Sequence, residues 1–227
     1  MAARGHMIQM KMSDGKSIGA YRVEPKEARR GGLVLIQEIF GVTDHIKECC
    51  DGFADDGYEV MAPALYDREA PGFQASYSPE DIQKAIQIAR VQHPVDLSVA
   101  DTQTTIDALK SKGPVFITGY CYGGSITWLA ACRLNGLNAA SGYYGSMIPQ
   151  FANEKPKCPT ILHFGRHDHG IPMEGVEKVI AARPEVKVYV YDAGHGFNSN
   201  RRDDYNPEAA KLARQRTLEL FRANGAG

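Results

Sequence analysis

From Gly113 to Cys132 the chain runs for 20 residues without a charged side chain, and what divides that stretch decides what it can become. An apolar run of this length is long enough to cross a bilayer. Its glycines argue against that: Gly119, Gly123 and Gly124 separate a β-branched run, Val115 to Thr118, from a helix-like run, Ser125 to Leu134, which carries the lone Trp128. The reading is a buried strand, a tight turn and a buried helix, with Trp128 in the core.

The rest of the chain repeats this alternation. Leu33-Val34-Leu35-Ile36 is an unbroken apolar run, as expected of a strand covered on both faces in a parallel sheet, and it ends in polar Gln37 and Glu38 at the edge where α/β sheets bind ligands. Met7 to Met12 and Ser17 to Val23 flank Asp14-Gly15 and read as a hairpin. Ile46, Cys49, Cys50, Phe53 and Ala54 recur at helical spacing before Gly57, which makes Cys49 and Cys50 core residues of a helix. Ser78-Pro79-Glu80-Asp81 opens another helix with a capping serine and a proline in the first turn. Further helices are predicted over 95–110, 174–182 and 207–222, and further strands over 58–61, 160–164 and 186–191. The expectation is one α/β domain over residues 8–227, a mainly parallel sheet with helices on both faces, with residues 1–7, including Gly5-His6-Met7, set aside as a cloning remnant.

Composition limits the partners. Lys and Arg number 26 against 27 Asp and Glu, a formal charge of −1, so no basic field exists to hold nucleic acid. The five cysteines form no C-x-x-C pair and are odd in number, which speaks against a disulfide framework or zinc knuckle. No apolar leader opens the chain. These features predict a cytoplasmic protein without a membrane partner, acting on a small molecule as a monomer or weak homo-oligomer.

The chemistry centres on Gly119-Tyr120-Cys121-Tyr122-Gly123-Gly124, a G-x-C-x-G-G turn between strand and helix. In a nucleophile elbow, glycines flank a strained turn that lifts the central side chain above the sheet, and here that side chain is a thiol. Asp168 and His195 each follow a predicted strand, so the order Cys121, Asp168, His195 is that of nucleophile, acid and histidine in α/β-hydrolases. His195 would take the Cys121 proton and later activate water, while Asp168 would hold the imidazole tautomer. The amides of Tyr122 and Ile39 are the expected oxyanion donors. Phe40, Tyr66, Tyr144 and Phe197 are candidate substrate contacts, although aromatic residues at strand ends also serve as packing, as Tyr143 could. The run Arg201-Arg202-Asp203-Asp204 reads as a solvated, self-neutralising loop.

Gln37-Glu38-Ile39-Phe40-Gly41, Ala64-Leu65-Tyr66, Ala70-Pro71-Gly72, the cysteine elbow, Gly142-Tyr143-Tyr144-Gly145 and the His195 loop together resemble the dienelactone hydrolase (carboxymethylenebutenolidase) family. The resemblance implies an α/β-hydrolase fold, no cofactor, and hydrolysis of a lactone or enol ester through a thioester acyl-enzyme. It also implies that Glu38 lies beside the thiol and takes part in activating it when substrate binds. It departs at the substrate carboxylate: the family places one arginine four residues after the catalytic histidine, where this chain has Ser199, and another near the start of the helix that begins at Pro79, where the first arginine is Arg90. Arg201 and Arg202 are near Ser199 but out of register.

Two alternatives stand beside this reading. His163, His167, Asp168 and His169 crowd seven residues and raise a metallohydrolase, although the spacing fits no common zinc motif and His163 falls inside a predicted strand. An inactive α/β-hydrolase scaffold that binds a small ligand is the other.

Overall fold

The computed structural model describes residues 4–227. Its eight strands form one sheet in the order β1-β2-β4-β3-β5-β6-β7-β8. Strands β1 (His6–Lys11) and β2 (Ser17–Val23) make the expected hairpin, and β2 pairs antiparallel with β4 (Tyr58–Pro63). From β4 onward every pairing is parallel, through β3 (Gly31–Ile36), β5 (Val115–Tyr120), β6 (Ala139–Tyr143), β7 (Thr160–Gly165) and β8 (Lys187–Tyr191). All residues of β3 to β7 are buried, which is why their sequences run apolar without alternating.

Helices α1 (Asp44–Asp55), α2 (Pro79–Gln87), α3 (Val95–Lys110), α4 (Tyr122–Arg133), α5 (Met173–Ala182) and α6 (Pro207–Ala223) fill the connections. Helices α3 and α4 pack together, while α1 and α6 meet through Arg214, which pairs with Asp56 at 2.6 Å and lies over the Phe53 ring. Ser78 caps α2 by accepting from the Asp81 amide at 3.3 Å, and Asn206 caps α6 through Ala209 at 3.0 Å. No helix among the described residues is long and apolar enough to cross a membrane, and the charge-free stretch is β5, a turn and α4.

Three features depart from the expectations. Residues 1–3 of the supposed remnant lie outside the described residues, but His6 and Met7 pair with Arg22 and Tyr21, and the Gly5 amide donates to the Tyr21 hydroxyl at 2.6 Å. The folded unit therefore starts before residue 8. Strand β6 went unpredicted because Ala-Ala-Ser-Gly-Tyr has no β-branched residue, its place being fixed by neighbours on both sides. Helix α4 begins at Tyr122, three residues earlier than predicted, because Gly123 and Gly124 disfavour a helix on propensity alone.

Those two glycines are required by contact. A Cβ on Gly123 would lie 2.3 Å from the Ile36 carbonyl oxygen, and one on Gly124 only 2.1 Å from that of Tyr143. The first turn of α4 thus rests directly on the ends of β3 and β6. Gly124→Ala must push helix from sheet and is expected to destabilise the fold by about 1–3 kcal/mol, read as a lowered urea midpoint; an unchanged midpoint would show that the backbone contact is not a constraint.

Candidate active site

Cys121 stands between β5 and α4 with φ 55° and ψ −115°, a conformation that L side chains rarely adopt. Its amide donates to the Tyr143 carbonyl at 3.0 Å and its carbonyl accepts from Ser125 at 3.2 Å, so neighbours on both sides hold the turn. The thiol is half-buried. Asp168 lies in the turn after β7 and His195 in the loop after β8. The His195 Nε2 atom is 3.1 Å from Cys121 Sγ, and Nδ1 is 2.6 Å from Asp168 Oδ2. Asp168 Oδ1 accepts from the Gly170 amide at 2.8 Å, so both carboxylate oxygens are engaged.

Burial disfavours the imidazolium, but the Cys121 charge and the Asp168 hydrogen bond outweigh it, and His195 is pushed up to about 10. A proton held more tightly by the folded chain contributes stability that is complete below the ordinary histidine value and is lost as pH rises towards about 10.

Glu38 is wholly buried. Its Oε2 accepts from the Tyr77 hydroxyl at 3.4 Å, and Oε1 has no partner. Burial raises its pKa, opposed by the positive charges of Arg202 and His195 and by the Tyr77 hydrogen bond. Tyr77 also meets Ser199 Oγ at 3.2 Å, and the Arg202 guanidinium lies 5.5 Å from its ring centroid. The expectation for 201–204 is corrected here: Arg201 pairs with Glu48 at 2.5 Å across to α1, while Arg202 turns inward over Tyr77 and contacts Asp204 only at 3.9 Å.

Tyr122 opens α4, and the backbone of Ile36 and Gln37, just before Ile39, packs against Gly123 in the first turn of that helix. Phe40 packs edge-on against Tyr77 at 4.8 Å between centroids. Tyr144, at φ 36°, stands 5.2 Å from the His195 ring and 5.1 Å from Phe197, with its hydroxyl unpartnered. Phe197 is enclosed behind it, and Tyr66 is buried on the Tyr122 side. The Tyr143 hydroxyl bonds Thr217 at 2.7 Å, away from the elbow. Trp128 is buried and donates to the Phe151 carbonyl.

The crowded His163 to His169 segment does not converge. His163 is buried between Ser141 at 3.1 Å and the Tyr191 hydroxyl at 2.8 Å, and burial pushes it down to about 3. His167 reaches Asp192 at 2.6 Å, while Asp168 faces His195. Among the described residues no three of His, Cys, Asp and Glu are grouped to hold a metal ion.

A family model described as the dienelactone hydrolase family matches residues 18–225. The chain belongs to the dienelactone hydrolase family. A Pseudomonas putida protein named carboxymethylenebutenolidase is 31% identical over 226 residues, covering 94% of this chain and 94% of its own. A Synechocystis protein provisionally given the same name is 33% identical over 226 residues, covering 90% of this chain and 91% of its own. A solved structure from Klebsiella pneumoniae, provisionally titled a dienelactone hydrolase, superposes with a TM-score of 0.83 at 29% identity, covering 96% of this chain and 98% of that one. The fold is thus the α/β-hydrolase fold, and membership of the dienelactone hydrolase family makes the chain an ester or lactone hydrolase in kind.

Tyr77 and the inward-facing Arg202 escaped the sequence reading. Tyr77 is 39 residues from Glu38 and 122 from Ser199, so no local spacing announces it. The buried Glu38 carboxylate makes a checkable demand. Its raised pKa means that the folded state binds its proton more tightly than the unfolded one, so stability falls as pH rises above the ordinary value of 4.5. Glu38→Gln is therefore expected to raise the melting temperature at pH 7 and to have little effect near pH 4; equal effects at both would show that the carboxylate carries no electrostatic strain.

Proposed function

We propose that this chain hydrolyses an enol lactone or related ester with Cys121 as nucleophile, His195 as general base and acid, and Asp168 as orienting acid. The observation that carries the reading is the continuous array from Cys121 Sγ through His195 to Asp168, at 3.1 and 2.6 Å, on a strained elbow. A common serine esterase would carry a hydroxyl at that elbow.

In the acylation step Sγ attacks the substrate carbonyl carbon, and the carbonyl electrons move onto oxygen, which the Tyr122 and Ile39 amides receive. Collapse breaks the bond to the ring oxygen, and His195 gives that oxygen its proton, leaving a thioester on Cys121. In deacylation His195 takes a proton from water, the hydroxide adds to the thioester carbonyl, and Sγ leaves to regain its pair with His195. Side chains, two backbone amides and water supply every group involved. Phe40, beside Tyr77, and Tyr144, beside His195, are the proposed substrate contacts, with Phe197 and Tyr66 backing them.

The name of the Pseudomonas putida relative specifies an unsaturated lactone bearing a carboxylated arm. Ser199 here holds Tyr77 and does not supply a cation. Arg202, whose charge acts on Glu38, is the cation for such a carboxylate in this chain. Glu38 tunes the thiol: its unpartnered Oε1 stands ready for a new hydrogen bond when substrate displaces its surroundings.

The test is ring opening of a dienelactone, followed by ultraviolet absorbance beside an activated aryl ester. Cys121→Ala should abolish turnover of both while leaving the melting curve cooperative. Asp168→Asn should lower kcat steeply, by as much as about 10⁴-fold. Turnover of the aryl ester alone would retain the mechanism and move the substrate elsewhere, whereas inactivity of the wild type on both would support a ligand-binding scaffold.

A further inference from the structure

A second array of hydroxyl, imidazole and carboxylate lies beneath the elbow. His93 Nδ1 is 2.9 Å from Glu69 Oε2, its Nε2 is 2.9 Å from Ser98 Oγ, and Ser98 Oγ is 2.8 Å from the Tyr122 hydroxyl. The spacing is that of a nucleophilic triad. Ser98 is fully buried, however, and its hydroxyl is engaged on both sides, so it meets no substrate. The array ends instead on the residue that follows Cys121.

Counting protons gives the array a direction. The Glu69 carboxylate accepts from His93 Nδ1, and when Nε2 is the unprotonated nitrogen it accepts from Ser98, whose Oγ then accepts from Tyr122. Burial pushes the Tyr122 phenol up to about 12, so it holds the proton it must donate. The Tyr66 ring closes the array, 5.2 Å from the His93 ring and 5.8 Å from that of Tyr122.

Three separate segments converge on this one phenol. Glu69 comes from the turns after β4, His93 from the junction between the π-helical turn at Ile88–Gln92 and α3, and Ser98 from α3 itself. Ordinary packing of Tyr122 would need only the ring. Fixing the hydroxyl as well pins the far end of a rigid side chain whose near end bears the amide beside a strained backbone turn, so α4 cannot rotate to relieve Cys121.

We propose that Glu69, His93 and Ser98 are positioning residues that, through the Tyr122 phenol, hold the amide after the nucleophile in register with the developing oxyanion. The proposal rests on Cys121 being the nucleophile. Oxyanion stabilisation depends on where a donor sits at the moment charge develops, so a loosened donor lowers kcat rather than raising KM.

The experiment measures kcat and KM on an activated aryl ester beside the rate of Cys121 alkylation by iodoacetamide, which needs a reactive thiol but no oxyanion donors. Tyr122→Phe and Ser98→Ala should each lower kcat by about 10-fold, less than the loss of a whole donor, with KM and the alkylation rate within about twofold of the wild type. The double variant should be no worse than the poorer single one, and Ser98→Thr should retain most of the rate. An unchanged kcat in Tyr122→Phe and Ser98→Ala, or alkylation slowed in step with kcat, overturns the positioning role; if Tyr122→Phe fails to fold, the contrast between Ser98→Ala and Ser98→Thr decides in the same way. A wild type whose activity survives complete alkylation of Cys121 overturns the nucleophile assignment and this proposal together, whereas an alkylation-sensitive wild type with a silent Tyr122→Phe overturns this proposal alone.

Discussion

Helix α4 can start where it does only because no side chain separates its first turn from the carbonyls of Ile36 and Tyr143. That contact forces the chain to leave β5 through a residue at φ 55°, and the residue so placed is Cys121. Strain at the elbow persists because the sheet on one side and the helix on the other determine it from both ends. The same contact sets the end of β3, just before Ile39, against the start of α4. The strained elbow that carries the candidate nucleophile is thus a consequence of one backbone approach, and parallel pairing from β4 to β8 carries the loops of Asp168 and His195 to the same edge.

Electrostatics then divides that edge in two. On one side of the thiol, His195 holds its proton because Cys121 and Asp168 favour the cation more than burial disfavours it. Elsewhere along that edge, Glu38 is kept from full solvation, with Tyr77 and the charge of Arg202 as its compensation. A buried acid whose ionised form is disfavoured thus shares the edge with a histidine whose cation is favoured. The low dielectric around Glu38 makes its ionisation sensitive to any new charge or hydrogen bond.

The sequence made the elbow legible because its constraint is local: glycines two residues either side of a cysteine, between a β-branched run and an apolar helix. Strands β3, β5 and β7 were legible for the same reason, since burial on both faces leaves an unbroken apolar run. Strand β6 was not, because a strand of small residues is defined by its neighbours. Asp168 and His195 could be placed by their position after predicted strands and by chain order, but Tyr77, Arg202 and the His93 array could not. Most of their partners lie far away along the chain, as when Arg202 lies on Tyr77, and their residue types carry no pattern of their own. Arg202 shows the difference most clearly: beside Arg201, Asp203 and Asp204 it looks self-neutralised, yet the loop sends its two arginines in different directions.

The proposed mechanism requires a covalent bond to one sulfur. Rapid quenching of the enzyme during turnover of a slowly deacylated aryl ester, followed by mass spectrometry of the peptides, tests it directly. The predicted result is one acyl group on the peptide that contains Cys121, labile to hydroxylamine as a thioester is, and absent from Cys121→Ala. An acyl group on another residue, or turnover without any acylated peptide, would contradict it.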